Sequence, residues 1–441
     1  MKWIFIACLL VFIPTLTAIL RGHPKYRTHV AFAVGALPFF LAPYLYVAPI
    51  SWAGWAGFVK GVEVSLLDGV ALAVVLSTPK VPIPLSFKLS LGIIVVALIV
   101  STSAGFQFLP ASFYAWQLLR AVILFTAVVR LCAADRRAPM ALMAGLGVGL
   151  CYEAVDATIQ FIGGNPRPGG NFGHSNFLGL VSDFVTFPAL ALLLGGRRVI
   201  GPGLIVGAGF IIALVGGSRA TLGLFAIGSL LTVALSIIHR RTSKKMAFAG
   251  AAALMMLVSV PLVIWAADRR TEADKLSSDQ ERASMKLAAT MMVTDHPLGV
   301  GANQYVLVAN MAGYSARAGV PWNESDRAAP VHDTYYLVTA ELGFLGLVGL
   351  LSLFGSLIIF GWKCLRRVGG DDPSELVPGL VGAMIIVAIH ISYEWVFMHF
   401  TLHYMLAIAA GLLVALATRS KAPMKARRPI QTKAPAFSTA S

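Results

Sequence analysis

Long apolar runs, repeated along almost the whole chain, constrain this sequence more than any other feature. Thirteen stand out, at roughly 2–20, 28–49, 60–78, 88–108, 112–133, 139–162, 175–195, 199–217, 220–238, 246–266, 333–361, 376–397 and 400–417. Most match the ~20 residues that cross a ~30 Å hydrocarbon core at 1.5 Å rise per residue. Backbone groups in lipid must be paired within the segment, and the runs lack strict alternation, so they read as helices and not as barrel strands. Composition agrees, since 57% of the 441 residues are hydrophobic and only 12% are charged, unlike a soluble globular domain. The predicted fold is all-α, a polytopic transmembrane helical bundle of about 12–13 spans with one long loop bearing short helices.

The net charge of +15 is concentrated in short connectors and the tail, beside spans, which argues against nucleic acid as a partner and for a membrane. Basic connectors recur at alternate turns: 21–27, 80–88, 135–137, 197–198, 239–245, 363–367 and the tail. The positive-inside rule makes these cytoplasmic. Thirteen spans then place the N-terminus outside; a twelve-span arrangement, with one early segment lying in the interface, places it inside. The division expected is 1–266 for spans one to ten, 267–332 for a periplasmic loop, 333–418 for the C-terminal spans and 419–441 for a cytoplasmic basic tail. The first apolar run reads as a span and not as a cleaved signal. Four scattered cysteines, Cys8, Cys132, Cys151 and Cys364, suggest neither a disulfide framework nor a metal site.

Several arginines fall on the outer side of this map, where the rule does not put them. They are Arg167 in "GGNPRPGGNFGHSN", Arg219 in "GGSRAT", and Arg269, Arg270, Arg282, Arg317 and Arg327 in the long loop, together with Lys286. Headgroup contacts and salt bridges account for some. A sharper reading is convergence on an anionic ligand, because guanidinium grips phosphate bidentately. Within the loop, Ser278 and Glu281 have capping-box spacing. The following "RASMKLAATMMV" puts Met285, Ala288 and Met292 on one stripe and Arg282 and Lys286 on another, an amphipathic helix. It should stop before His296-Pro297. Gly299 and Gly301 in "PLGVGANQY" form a turn and no nucleotide fingerprint.

Glu153, Asp156, Asp183, Glu341, His390 and Glu394 lie inside apolar runs. Ionisable groups there face a bundle interior or a water-filled cavity, so the expectation is one polar cavity open to the outer side, or else local helix–helix hydrogen bonds. His390 with Glu394, and His399 with His403, are spaced i, i+4 as metal ligands can be. No further ligand is evident, so no metal is assigned.

Four motifs in order, "NPRPGGNFGHSNFLG", "GGSRATLG", "ERASMKLAATMMVTDHPLGVGANQY" and "VHDTYYLVTAELGFLG", resemble the O-antigen ligase and polymerase superfamily over roughly residues 160–350. The resemblance implies a bacterial inner-membrane, multi-pass glycosyltransferase acting on the periplasmic side. Its donor would be an undecaprenyl-diphosphate-linked glycan, and its acceptor lipid A–core or another lipid-linked glycan. On the matched positions, His332 resembles the general base, Arg219 and Arg282 the donor diphosphate contacts, and Arg167 a third. His174 and Asn176 resemble residues that shape the cavity. Asp333, Glu341 and Tyr336 are supporting candidates. The superfamily usually has Asn where this chain has Asp333.

The chemistry is coherent without the resemblance. A lipid diphosphate is already a good leaving group, so no cofactor is called for. Arginines stabilise the departing charge, and a histidine titrating near neutrality suits the attacking hydroxyl. Direct attack inverts the anomeric centre. Acidic pairs suited to a metal-nucleotide transferase are not seen on the outer side. The O-antigen ligase reading leads; a polymerase of O-antigen or exopolysaccharide repeats is the alternative. A transporter or flippase of a lipid-linked anion is the rival from another class, with intramembrane acids as proton relays.

Overall fold

Nine helices among the described residues are long and apolar enough to cross a membrane. The computed structural model describes residues 2–419, apart from 43, 197, 251–271, 368–371, 396 and 397. The nine are α1 (Lys2–Gly22), α4 (Leu85–Ala104), α5 (Phe108–Ala134), α6 (Ala138–Ile162), α7 (Ser175–Gly195), α9 (Arg219–His239), α15 (Thr334–Leu365), α16 (Leu376–His390, lengthened by a 3-10 turn before it) and α17 (Phe400–Arg419). These fit a multi-pass membrane protein. The shorter α8 (Ile200–Val215) and the start of α10 (residues 243–250) accompany them. The span expected at 246–266, with Arg269 and Arg270 after it, lies outside the described residues but for its first five. So does the tail beyond 419.

α7 and α17 are enclosed along nearly their whole length, whereas α1 and α4 present many of their Leu, Ile and Val side chains outward. Outward apolar residues are what a helix facing lipid requires. α17 packs along α5, α16 along α7, and α15 along α4.

Two expected spans are not continuous helices. In the run 28–49 the helix α2 (Arg27–Ala36) is followed by a 3-10 turn and then by strand β1 (Tyr46–Ser51). In the run 60–78, strand β2 (Gly61–Ser65) precedes α3 (Leu66–Ser77). The strands pair antiparallel, Tyr46 opposite Ser65 and Ser51 opposite Gly61, with a bulge between Val47 and Ile50. Pro38 follows α2 closely and Pro49 lies in the bulge; proline cannot supply a mid-helix or mid-ladder N–H. Val47, Ile50, Val62 and Val64 then favour the pleated surface. α2 lies hard against α6: a Cβ on Gly35 would strike Leu142 O, and one on Gly145 would strike Phe32 O. Glycine permits this backbone-to-backbone approach.

An ionic staple holds the hairpin. Arg120 of α5, 2% exposed, reaches Asp68 Oδ2 with Nε at 2.9 Å and Glu63 Oε2 with Nη1 at 3.4 Å, and donates to the Tyr404 hydroxyl. Ser65 and Asp68 form a capping box on α3. Nothing local in the sequence marks these residues, because Glu63 lies in β2 and Asp68 in the first turn of α3, and their partner Arg120 is more than 50 positions away.

α15 is broken at Gly343 (φ 68°, ψ −174°). The loop 297–301 enters the break: Val300 N donates to Ala340 O at 2.9 Å, Gly301 N to Glu341 O at 3.0 Å, and Phe344 N to Pro297 O at 3.3 Å. A Cβ on Gly343 would sit 2.5 Å from Pro297 O, in a region of backbone space almost restricted to glycine.

Candidate functional site

Four of the predicted residues, His174, Asn176, Arg282 and His332, gather around the carboxylate of Glu394. The amphipathic helix is present as α11 (Glu272–Asp295). Met285, Ala288 and Met292 are buried, Arg282 and Lys286 are half-exposed, and the helix stops before His296-Pro297 as the proline requires. It begins earlier than predicted. Glu272, Ala273, Lys275 and Leu276 are good helix formers and extend it backward, so Ser278 and Glu281 lie inside the helix and not at its start.

Glu394 occupies the turn after α16 and is 1% exposed. Asn176 Nδ2 donates to its Oε1, and Arg282 Nη2 lies 3.8 Å from the same oxygen. His332 Nδ1 lies 3.9 Å from Oε2. Thr334 fixes the turn itself, its Oγ1 donating to Glu394 O at 2.6 Å and its N to Ile391 O at 2.9 Å. Burial alone pushes the Glu394 carboxyl up; His332, and then His174 and Arg282, outweigh it and hold the group below the usual carboxylate range.

His174 is the N-cap of α7, its Nδ1 accepting from Asn176 N at 3.3 Å. Burial is the main cause that lowers its pKa; Glu394 opposes this, and Arg167, His332 and Arg282 reinforce it. A neutral ring is what accepting an amide proton requires. The turn that carries His174 and Arg167 is anchored by Glu153 of α6, whose Oε2 accepts from Asn171 N at 3.0 Å.

Arg167 and Arg219 are exposed at adjoining turns. Arg219 opens α9, after the N-cap Ser218. In the turn just before it, a Cβ on Gly217 would lie 3.6 Å from Arg167 Cγ. The two turns adjoin there, and the charge of Arg167 acts on His174.

Asp333, adjacent to His332 in the chain, turns toward its own helix and toward α11. It is the N-cap of α15, accepting from Tyr335 N at 3.0 Å and Tyr336 N at 3.3 Å, and it pairs with Lys286 Nζ at 2.8 Å. Tyr336 lies beneath the same ammonium, 5.4 Å from ring centre to Nζ. Glu341 also leaves the site. Its carboxylate accepts from Asn303 N at 2.8 Å and Tyr305 N at 3.0 Å, and so pins the loop after α11.

The intramembrane acids do not share one cavity. Asp183 pairs with His390 Nδ1 at 3.1 Å, Asp156 with Gln160 at 2.8 Å, and Glu153 and Glu341 each hold a loop. A buried carboxylate takes the nearest donor, because leaving it unpaired is costly. Glu394 is the functional candidate that the motifs overlooked; its signals were an acid in an apolar run and its i, i+4 spacing from His390.

Compared with known proteins, the chain matches no family model and no curated protein.

Proposed function

We propose that the chain is a membrane glycosyltransferase that moves a glycan from undecaprenyl diphosphate to a hydroxyl acceptor at the periplasmic face of the bacterial inner membrane. The observation that carries this reading is the meeting of His332 and Arg282, 50 positions apart, at a single buried carboxylate, with Arg167 acting on the neighbouring His174 and Arg219 on the turn that adjoins Arg167. A base and a guanidinium cluster in one place are what transfer from a lipid diphosphate needs: one takes the acceptor proton, the other meets charge as it develops on the leaving group. The acceptor we favour is lipid A–core, as in O-antigen ligases, with polymerisation of O-antigen or exopolysaccharide repeats as the alternative. Direct displacement inverts the anomeric configuration, which the product linkage reads by NMR; retention would overturn the single-step scheme.

The test uses His332→Ala and Arg219→Ala in a deletion strain, with lipopolysaccharide glycan ladders as readout. Loss of all glycan from the core supports the ligase form. Collapse to core plus one repeat supports the polymerase form. Intact ladders with both variants overturn the reading.

Transport of a lipid-linked anion is favoured by a different observation, the Asp183–His390 pair buried within the spans, since such pairs serve as proton relays. Proteoliposomes that take up protons when lipid-linked donor is added, and lose this with His390→Ala, would replace transfer by transport.

A further inference from the structure

Two buried polar atoms of the site lack a hydrogen-bond partner and face each other. His332 Nδ1 and Glu394 Oε2 are both unpaired among the described residues, and they stand 3.9 Å apart. A movement of about 1 Å closes that gap to hydrogen-bond length, and catalytic hydrogen bonds are often long before substrate arrives. The carboxylate is fixed from two sides. Asn176 of α7 holds Oε1, and Thr334, two positions from His332, holds the Glu394 carbonyl at 2.6 Å. Asp333 is excluded as the partner because it caps α15 and pairs with Lys286.

We propose that His332 and Glu394 form a carboxylate–imidazole dyad, in which Glu394 holds Nδ1–H and leaves Nε2 free to act as the base. Glu394 is then a positioning residue that acts through His332. The pairing stands on geometry; its use in catalysis rests on the glycosyl-transfer reading. In that step the acceptor O–H bond breaks and its proton moves to Nε2. The oxygen's electron pair forms the new bond to the anomeric carbon. The anomeric C–O bond to the diphosphate breaks, and the diphosphate leaves with that electron pair beside Arg282. Nε2 returns its proton to water, and the carboxylate stabilises the imidazolium in between. The other charged groups facing the dyad are Arg282 from α11 and His174 from the turn before α7, with Arg167 beyond His174 and the Lys286–Asp333 pair alongside.

The dyad is tested on the full chain in detergent, labelled with ¹⁵N-histidine, the His332 ring signals being identified by their loss in His332→Asn. The expected result is a neutral ring protonated on Nδ1. In Glu394→Met, which keeps the side-chain length but offers no acceptor, the proton should move to Nε2. Protonation on Nε2 in the wild type, or an unchanged tautomer in Glu394→Met, overturns the dyad. Glu394→Gln keeps an acceptor for Asn176 and removes the charge. Glycan transfer in the deletion strain should then fall by about 10²-fold or more, and Glu394→Asp should restore part of it. Full transfer with Glu394→Gln overturns the catalytic use of the dyad. The tautomer is read without substrate, so a switched tautomer alongside intact ladders in His332→Ala overturns the transferase reading alone.

Discussion

Lys286 and Asp333 meet at 2.8 Å, joining the middle of α11 to the first turn of α15. The same carboxylate caps α15, so one side chain sets both the start of that helix and the height of α11 above it. His332 precedes it and Arg282 lies one turn from Lys286, so this contact sets the separation of the His332 ring and the Arg282 guanidinium.

Asp333→Asn should therefore be mild. Asparagine caps a helix as well as aspartate, and an ion pair whose lysine is half-exposed and can turn to solvent contributes about 0–1 kcal/mol. Asp333→Ala also loses the cap and should cost about 0.5–2 kcal/mol more. Thermal unfolding in detergent measures both. If Asp333→Asn abolished glycan transfer as His332→Ala is expected to, the carboxylate would be doing chemistry.

The broken centre of α15 should be intolerant. Gly343→Ala places a Cβ 2.5 Å from Pro297 O at positive φ, a strain of about 1–3 kcal/mol before the loop moves. Glu341→Ala leaves the Asn303 and Tyr305 amides without acceptors, each a loss of about 1–3 kcal/mol. Both should lower the melting temperature and the yield of monodisperse protein. Wild-type melting of Gly343→Ala would mean that the loop is not seated in the helix break.

On the glycosyl-transfer reading proposed above, removal of the arginines separates activity from folding. Arg219 is exposed at the mouth of α9, so Arg219→Ala should leave the melting temperature unchanged while transfer drops. Arg282→Ala should cost about 10²–10³-fold in transfer, the scale of one lost charge-stabilising donor. Arg282→Lys should recover little, because an ammonium lacks the planar fork. Full recovery by lysine would argue for a point charge and against bidentate grip.

Acid should weaken the fold in two windows. Burial lowers the His399 imidazole from the ordinary 6.5 to about 4, and His174 is lowered in the same direction, also mainly by burial. Groups depressed in the folded state stabilise it fully above their unfolded pKa. That contribution is lost as pH falls from 6.5 towards the folded value. Glu394 lies below the ordinary 4.5 because His332, His174 and Arg282 outweigh its burial, so its contribution is lost only below about pH 4.5. Melting temperature should be flat above pH 7 and decline from 6.5 downward, and His399→Phe should reduce the decline between 6.5 and 4. No change in melting between pH 7 and 4.5 would contradict the depression of these two rings in the folded state.

Helices such as α5, α7, α9 and α17 were legible from run length alone, since a helix in lipid satisfies its backbone from its own neighbours. The stripe of Met285, Ala288 and Met292 and the stop before Pro297 were legible for the same local reason, as were the separate motifs that carry His332, Arg282, Asn176 and His174. Pairing was not. The runs at 28–49 and 60–78 look like the others, yet the prolines and a buried arginine from α5 turn them into half-helices and a hairpin. Asp333 was the obvious carboxylate for His332 because it is adjacent in the chain, but an N-cap aspartate faces its own helix amides. The carboxylate that faces the imidazole comes from Glu394, 62 positions on, because Thr334 and Asn176 hold that turn against the mouth of α15. Sequence determines which long runs can form helices and which segments carry charge. Tertiary packing alone decides which charge an imidazole meets, because that depends on the direction of side chains across helices rather than along them.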